Sequence, residues 1–461
     1  MSAPEAPIIP PKPVPRPDRV SFWHHLRLFR RDILSAQPAR LYRARMAELR
    51  LPFLRSFTLN EPALWRLVLT ERPGDFPKSN RVRAGLEPLL GRSVFVTNGA
   101  EWARQRRIID PAFEGGRLRD TFPAILAAGQ AAVARLAEGP EARIVEVEAP
   151  MSHAAADVIF RTLFSVPIED AAAAAVFRAF RAHQATQPIL NLAAFIPLPR
   201  WFPRLHRRET RRTAAEIRRL ITAMTEARAA ELAAGTAPDD LATKIMTTPD
   251  PQTGACFGTA EMVDQVAIFF LAGHETSASA LAWALYLIAL DPALQDRLAA
   301  EGAELGAAPD FAAVARLKLA RDVFREALRL YPPVPMMVRE AASPETFRDR
   351  PVRPGDQVIV SPWHLGRHER IWDDPDAFCP ARWGTEAGRA AARDGFIPFS
   401  TGPRVCPGAG FAMVEGPLLL ALMARAFRFA PVPGDVPEPV AHLTVRARHG
   451  IRLQVVRRTG A

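Results

Sequence analysis

Cys406 sits in the stretch 396–410, FIPFSTGPRVCPGAG, where Gly402, Pro403, Pro407, Gly408 and Gly410 set a tight backbone around it. Phe396, Ile397 and Phe399 form an apolar wall before it, and an apolar helix running through 418–422 follows. Such a loop can aim several N–H groups and a helix N-terminus at one sulfur, and both stabilise a thiolate. A thiolate in an apolar, water-poor setting is what a strongly donating haem ligand requires. For an isolated cysteine the alternative is a small buried hydrophobe in a turn. Gly408-Ala409-Gly410 begins like a dinucleotide loop, but Met413 occupies the third position and no βαβ context precedes it.

A second chemical constellation lies in FFLAGHETSAS, in the middle of a helix expected over 259–290. Thr259 can cap that helix, Glu261 suits its first turn, and Pro292 follows its end. At ~1.5 Å per residue such a helix crosses the whole molecule. Gly273 inside it costs ~1 kcal/mol relative to Ala. A backbone bare at that point lets a flat cofactor or O2 approach. Ala272 and Thr276 share a face, and Glu275 adds an ionisable group beside the hydroxyl. Activating O2 takes two electrons and two protons. A hydroxyl that holds a water, next to a carboxyl that resupplies protons, provides such a relay. The plainer alternative is a helix that tolerates a glycine and exposes His274 and Glu275.

Together these stretches resemble the cytochrome P450 family. Phe399, Gly402, Arg404, Cys406 and Gly408 match its haem-binding signature, and Ala412 and Glu415 fit the continuation into the next helix. AGHET, with Ala272, Gly273, Glu275 and Thr276, matches its oxygen-activation motif. The resemblance implies haem b (iron protoporphyrin IX), with Cys406 as axial iron ligand and Phe399 over the sulfur side of the porphyrin. Arg404 would pair with a propionate, a role that a fixed cation suits on general grounds too. Thr276 would steer protonation and Glu275 would feed protons.

Other segments fit the same family. In FREALRLYPP (324–333), Glu326 and Arg329 are three apart on one helix face. The family's buried Glu–Arg pair looks like this, and its third member would be Arg382 in CPARW, with Trp383 the usual aromatic after it. Trp102 and Arg106 in EWARQRR share a helix face and can present an indole N–H and a guanidinium to one propionate. Arg339 follows the PPV turn, where the family often has another propionate ligand. Arg367 and Trp372 in GRHERIW match a structural stretch that often carries His where Gly366 stands. Pro417, inside the helix after the cysteine, is unusual and should kink or loosen it. The resemblance covers nearly all the chain from about residue 40 and points to a bacterial-type soluble member.

The elements that must position these groups are mainly helical. Apolar patterning predicts helices at 99–112, 119–137, 148–164, 170–184, 207–234, 259–290, 293–304, 311–330 and 410–427, and short strands with a helix at 50–75. LTVRA and IRLQVV alternate around Arg448-His449-Gly450, which predicts a hairpin over 443–458. The fold class is mainly α with a smaller β portion, the cytochrome P450 fold by resemblance. The chain's 48% hydrophobic content supports a large core in one catalytic domain, 21–461, behind a Pro-rich, mobile tail, 1–20.

The net charge of +11 favours acidic partners or an anionic membrane. With 8% aromatics and no recognisable binding module, nucleic acid is not an expected partner. Residues 21–50 look helical and basic, either as a solvated face or as a helix on a membrane surface. Cys256, Cys379 and Cys406 have no disulfide or zinc spacing and fit a reducing, cytoplasmic compartment. His364 and His368 are four apart, but Gly366 lies between them and no HExxH is present, so core or solvated histidines are expected. Prolines break the start where a signal peptide needs an apolar run, and no stretch reads as a clean membrane span.

By analogy the segments 76–99, 176–205, 263–273, 334–338 and 440–445 face substrate. Ile268, Phe269, Phe270, Met336 and Met337 favour an apolar one, such as a fatty acid, terpenoid or steroid-like molecule. Residues 193–203 either roof the entrance, touch a membrane or simply pack. No flavin, nicotinamide or iron–sulfur segment is visible, so electrons would come from a separate ferredoxin or flavodoxin, with Arg104, Arg107, Arg389 and Arg393 as a candidate docking face. The alternatives are a peroxide-driven peroxygenase, an isomerase and a non-catalytic haem-binding sensor.

Overall fold

The computed structural model describes residues 7–51, 54–186, 208–441 and 443–458. Its main helices are α1 (Phe22–Arg31), α2 (Asn80–Leu90), α3 (Gly99–Ile109), α4 (Arg117–Ala137), α5 (Glu148–Phe164), α6 (Ala171–Thr186), α7 (Arg208–Ala234), α8 (Thr259–Ala289), α9 (Pro292–Ala303), α10 (Lys318–Leu330), α11 (Glu386–Gly395) and α12 (Ala409–Ala426). The strands are β1 (Met46–Leu51), β2 (Leu54–Leu59), β3 (Ala142–Glu146), β4 (Met337–Glu340), β5 (Glu345–Phe347), β6 (Arg350–Val352), β7 (Gln357–Val360), β8 (Phe427–Pro431), β9 (Pro439–Ala441), β10 (Val445–Ala447) and β11 (Arg452–Arg457). Helix accounts for 56% and strand for 12%, a mainly α fold.

α8 is the axis. It is buried around most of its circumference, as befits a helix apolar on nearly every face, and α5, α7, α10 and α12 pack on it. A β-carbon on Gly273 would lie 2.3 Å from Ile159 Cδ1 of α5. The glycine therefore lets Ile159 of α5 sit against α8. Gly258 precedes the first turn and donates its N–H to Glu261 at 3.1 Å, so Thr259 is the first helical residue rather than the cap.

The larger sheet runs β1–β2–β7–β4, and a three-stranded sheet runs β3–β11–β8. The hairpin expected over 443–458 does not form. β10 pairs antiparallel with β9, while β11 lies between β3 and β8. Period-2 alternation fixes which face of a strand is buried but not which strand lies beside it. The chain turns at Gly450, whose φ is +76°, and leaves one sheet for the other.

From residue 7 onward the proline-rich start is extended but docked. Phe378 N–H donates to Ile8 O at 2.9 Å, Tyr331 Oη to Pro11 O at 2.6 Å, and buried Arg16 bonds Ala36 O at 2.6 Å. Composition predicts mobility because prolines donate no backbone bonds; the contacts of the described part come from the Ile8 and Pro11 carbonyls and from Arg16. α12 continues through Pro417 without a break. It is also long and apolar enough to cross a membrane (hydropathy 1.4), contrary to the sequence reading, but 67% of it is buried in the core.

Candidate active site

Cys406 N–H donates to Phe399 O at 2.9 Å, which closes the loop on itself. Gly402 has a φ of +68°, and a β-carbon there would lie 2.2 Å from Leu69 O, so only glycine fits. α12 begins at Ala409 and points its N-terminus at the cysteine. Cys406 is exposed. Desolvation by neighbouring protein pushes its thiol up, while the Gly408 N–H and the Arg106 charge pull it down. A positive centre at the sulfur would complete what those two begin.

Beside the loop, the structure gathers cations around Trp102. The Arg404 guanidinium lies 5.2 Å from the indole centroid, Lys78 Nζ 5.7 Å and the Arg106 guanidinium 5.9 Å. Arg404 donates to Pro73 O and Phe76 O, both at 2.9 Å, and Lys78 to Val94 O at 2.5 Å. Arg339 is buried and reaches the same patch across a bridge to Lys78. Burial, then Arg404, pushes Arg339 down to about 10. Burial and then the three arginines push Lys78 well below the usual lysine range. Among the described residues, the one carboxylate paired with these cations is Asp110, held by Arg106 at 2.6 Å. Arg339 Nε and Arg404 Nε are buried and have no partner among the described residues. Like charges are stable together in a desolvated patch only with anions between them. Two carboxylates of a porphyrin fit this patch. Lys78 carried no sequence signal, since PKSN has no motif; only the fold brings it to Trp102.

On α8, Ala272 is exposed and Thr276 half-buried. Thr276 Oγ1 donates to Ala272 O at 2.5 Å. The hydroxyl hydrogen is thus committed, and its lone pairs remain free to accept. Glu275 is buried, as is His274, contrary to the solvated alternative. Glu275 Oε1 accepts from Thr444 Oγ1 at 2.7 Å and from Arg446 at 2.8 Å, and Oε2 accepts from Gln184 at 3.0 Å. None of these bonds runs to Thr276. Gln184, Thr444 and Arg446 were not legible as partners, because they come from α6 and from the chain around β10. The Phe113 ring lies 5.6 Å from both Phe269 of α8, tilted, and Phe411 of α12, edge-on, and joins the two helices.

The scaffold beneath is an ion network. Arg329 and Glu326 have no exposed side-chain surface and meet at 2.7 Å; Arg382 reaches Glu326 at 3.0 Å. Glu326 also accepts from Cys379 N–H and Trp383 Nε1, while Arg329 donates to Gly366 O, Pro375 O and Ala377 O. A β-carbon on Gly366 would lie 2.3 Å from Arg329 O, which accounts for glycine there. His364 bonds Ser361 Oγ and lies 5.0 Å from the Tyr42 ring, so it is a core residue.

Of the expected docking arginines, Arg104 pairs with Glu261 and Arg107 with Asp250, both at 2.6 Å, and their charge is largely offset. Residues 193–203 lie outside the described residues.

The sequence profile described as Cytochrome P450 matches residues 14–455. Cyclooctat-9-en-7-ol 5-monooxygenase of Streptomyces melanosporofaciens is 30% identical, over 89% of this chain and 88% of its own length. Pentalenene oxygenase of Streptomyces avermitilis is 29% identical, over 86% and 87%. The crystal structure of the cytochrome P450DA heme domain superposes with a TM-score of 0.77 at 24% identity, covering 90% of both chains. With the cysteine loop, the α8 motif and the buried ion network each in place, this chain belongs to the cytochrome P450 family.

Proposed function

We propose that the protein is a haem-thiolate monooxygenase that inserts one oxygen atom from O2 into an apolar small molecule. Haem b is held by the Cys406 thiolate, with its propionates among Lys78, Arg106, Arg339 and Arg404 and against Trp102. Bound there, it supplies the iron at which O2 is reduced. The observation that carries the proposal is the cation patch beside the cysteine loop, in which only Arg106 has a carboxylate partner among the described residues.

This chain's own residues do the rest. Thr276, with its hydrogen given to Ala272 O, accepts from a water and holds it in place. Glu275 resupplies protons, and Arg446, with a side chain 41% exposed, lies between that carboxylate and solvent. Phe95 (42% exposed) and Leu443 (37%) present apolar surface on segments expected to face substrate. The printed names of two relatives carry an alkenol and an alkene. A hydrocarbon skeleton with few polar groups, such as a terpenoid, fits both.

Electrons come from a separate acidic donor such as a ferredoxin or flavodoxin. The free thiols suit the cytoplasm. Peripheral contact with a membrane fits α1, which exposes Trp23 (75%) and Phe22 (41%) beside arginines.

The test is spectral and then catalytic. Reduced protein under carbon monoxide is expected to give the strongly red-shifted Soret band of a thiolate-bound haem, and Cys406→Ala to lose it. Turnover is expected with NADH and a surrogate ferredoxin chain. Turnover with peroxide alone would replace this proposal by a peroxygenase.

A further inference from the structure

We propose that an open groove at the β1 end of the molecule, distinct from the haem site, binds a ligand carrying two or more phosphate groups. The groove encloses about 740 Å3, a volume typical of small-ligand sites. Arg40, Arg43 and Arg45 enter it from the turn at 39–42 and the approach to β1. Arg348 and Arg350 enter from the β5–β6 hairpin, and Arg370 from the loop after 362–365. Among the lining groups only Glu48 and Asp349 are acidic, and Glu48 is already clamped by Arg50 and Arg55.

The pairing of these arginines is incomplete. Arg348 meets Glu61 at 2.6 Å, Arg45 approaches the same carboxylate only at 3.9 Å, and Arg350 reaches Asp349 at 3.5 Å. Arg40, Arg43 and Arg370 have no carboxylate partner among the described residues. Arg40 Nε is shielded from solvent and has no hydrogen-bond partner there either. Arg370 Nε donates to Arg43 O at 2.9 Å. That bond fixes its guanidinium and leaves the terminal nitrogens free.

Arginines on a merely solvated surface spread apart. Here the backbone of three separate segments holds them around one concavity, where a positive potential is focused. Guanidinium forks match phosphate oxygens in pairs of parallel hydrogen bonds. A phosphate group carries about −1.5 to −2 charge at neutral pH, so one group leaves the excess only partly neutralised and two or more balance it. Ala44, Met46 and Ala47 also line the groove and offer a little apolar surface for a short carbon skeleton between the charges. A soluble oligophosphate compound and a phosphorylated lipid headgroup share this chemistry.

Titration calorimetry on the holoprotein tests the site with tripolyphosphate and, separately, orthophosphate. One tripolyphosphate per chain is expected, bound at least about tenfold tighter than orthophosphate. The double variant Arg43→Ala/Arg370→Ala is expected to weaken it by at least about tenfold, as the loss of charge-assisted hydrogen bonds requires. Arg211→Ala/Arg212→Ala removes the same charge from exposed positions on α7 and is expected to leave binding unchanged. Equal losses in both double variants, or no preference for tripolyphosphate over orthophosphate, would overturn the proposal by reducing it to net charge. Phosphatidylcholine vesicles doped with a bisphosphorylated inositol lipid then identify the source. Capture that tripolyphosphate blocks and the groove variant loses assigns a headgroup; no capture, with tripolyphosphate binding intact, assigns a soluble ligand.

Discussion

Ser277 Oγ donates to Glu415 Oε2 at 3.0 Å, joining α8 immediately after Thr276 to α12, the helix that starts beside Cys406. Glu415 is buried, its Oε1 has no partner among the described residues, and burial pushes its carboxyl up to about 8. At neutral pH the helix junction is therefore held by a neutral acid.

That assignment has a signed consequence. A carboxyl raised in the folded state keeps a proton that the unfolded chain gives up, so stability falls as pH rises from the ordinary value of 4.5 toward about 8. Glu415→Gln keeps the neutral shape and removes the titration. Its unfolding free energy is expected to be flatter over that window, with the variant gaining on the parent as pH rises. Denaturant melts at several pH values read this directly. Parallel curves for the two proteins would mean that Glu415 is ionised in the fold.

The cation patch predicts how strongly the cofactor is held. Lys78→Ala and Arg404→Ala each remove a charge-assisted partner worth about 1.5–3 kcal/mol, so haem affinity is expected to fall roughly tenfold or more in each. Transfer of haem to an acceptor protein measures the loss. Arg339→Ala makes a sharper test, because its Nε has no partner among the described residues. Without haem, that variant is expected to be no less stable than the parent; with haem, it should release the cofactor faster.

The divide between what sequence displayed and what it hid is physical. Cys406, Thr276 and the Glu326–Arg329 pair lie in short contiguous stretches that resemble family motifs, and that resemblance is what singled them out. Lys78, Gln184, Thr444 and Arg446 earn their roles from contacts between segments far apart in the chain, and no periodicity encodes those. Gly273 was legible as special, and the fold adds what no local pattern shows, that Ile159 fills the space its side chain would take. Likewise, alternation placed strands at β10 and β11 but mispaired them, because their actual partners, β9 for the one and β3 and β8 for the other, are not written in the turn between them.

Glu326 is the centre of the structural network, and its loss is expected to cost more than that of any surface ion pair. Glu326→Ala would strand the Arg329 and Arg382 guanidinium groups without their carboxylate, at about 3–5 kcal/mol. The expected outcome is a lower urea midpoint and a large fraction of purified protein without haem. Arg219→Ala, which breaks the exposed pair with Glu216, should stay within about 1 kcal/mol of the parent.

The proposed function gives Thr276 and Glu275 separable roles, and their hydrogen bonds say how to part them. Thr276→Ala removes the hydroxyl proposed to hold water, while leaving Glu275 with its three partners. Haem content and the carbon monoxide spectrum should be unchanged, while NADH consumption runs on and ends mainly in hydrogen peroxide rather than product. Glu275→Gln should instead slow NADH consumption itself, because the proton resupply is cut. Arg446→Ala frees one side of the carboxylate and opens it to solvent, so the rate should become more dependent on pH while coupling stays near the parent's. Unchanged coupling in Thr276→Ala would remove that hydroxyl from the mechanism. An Arg446→Ala protein with the parent's pH profile would confine Arg446 to packing.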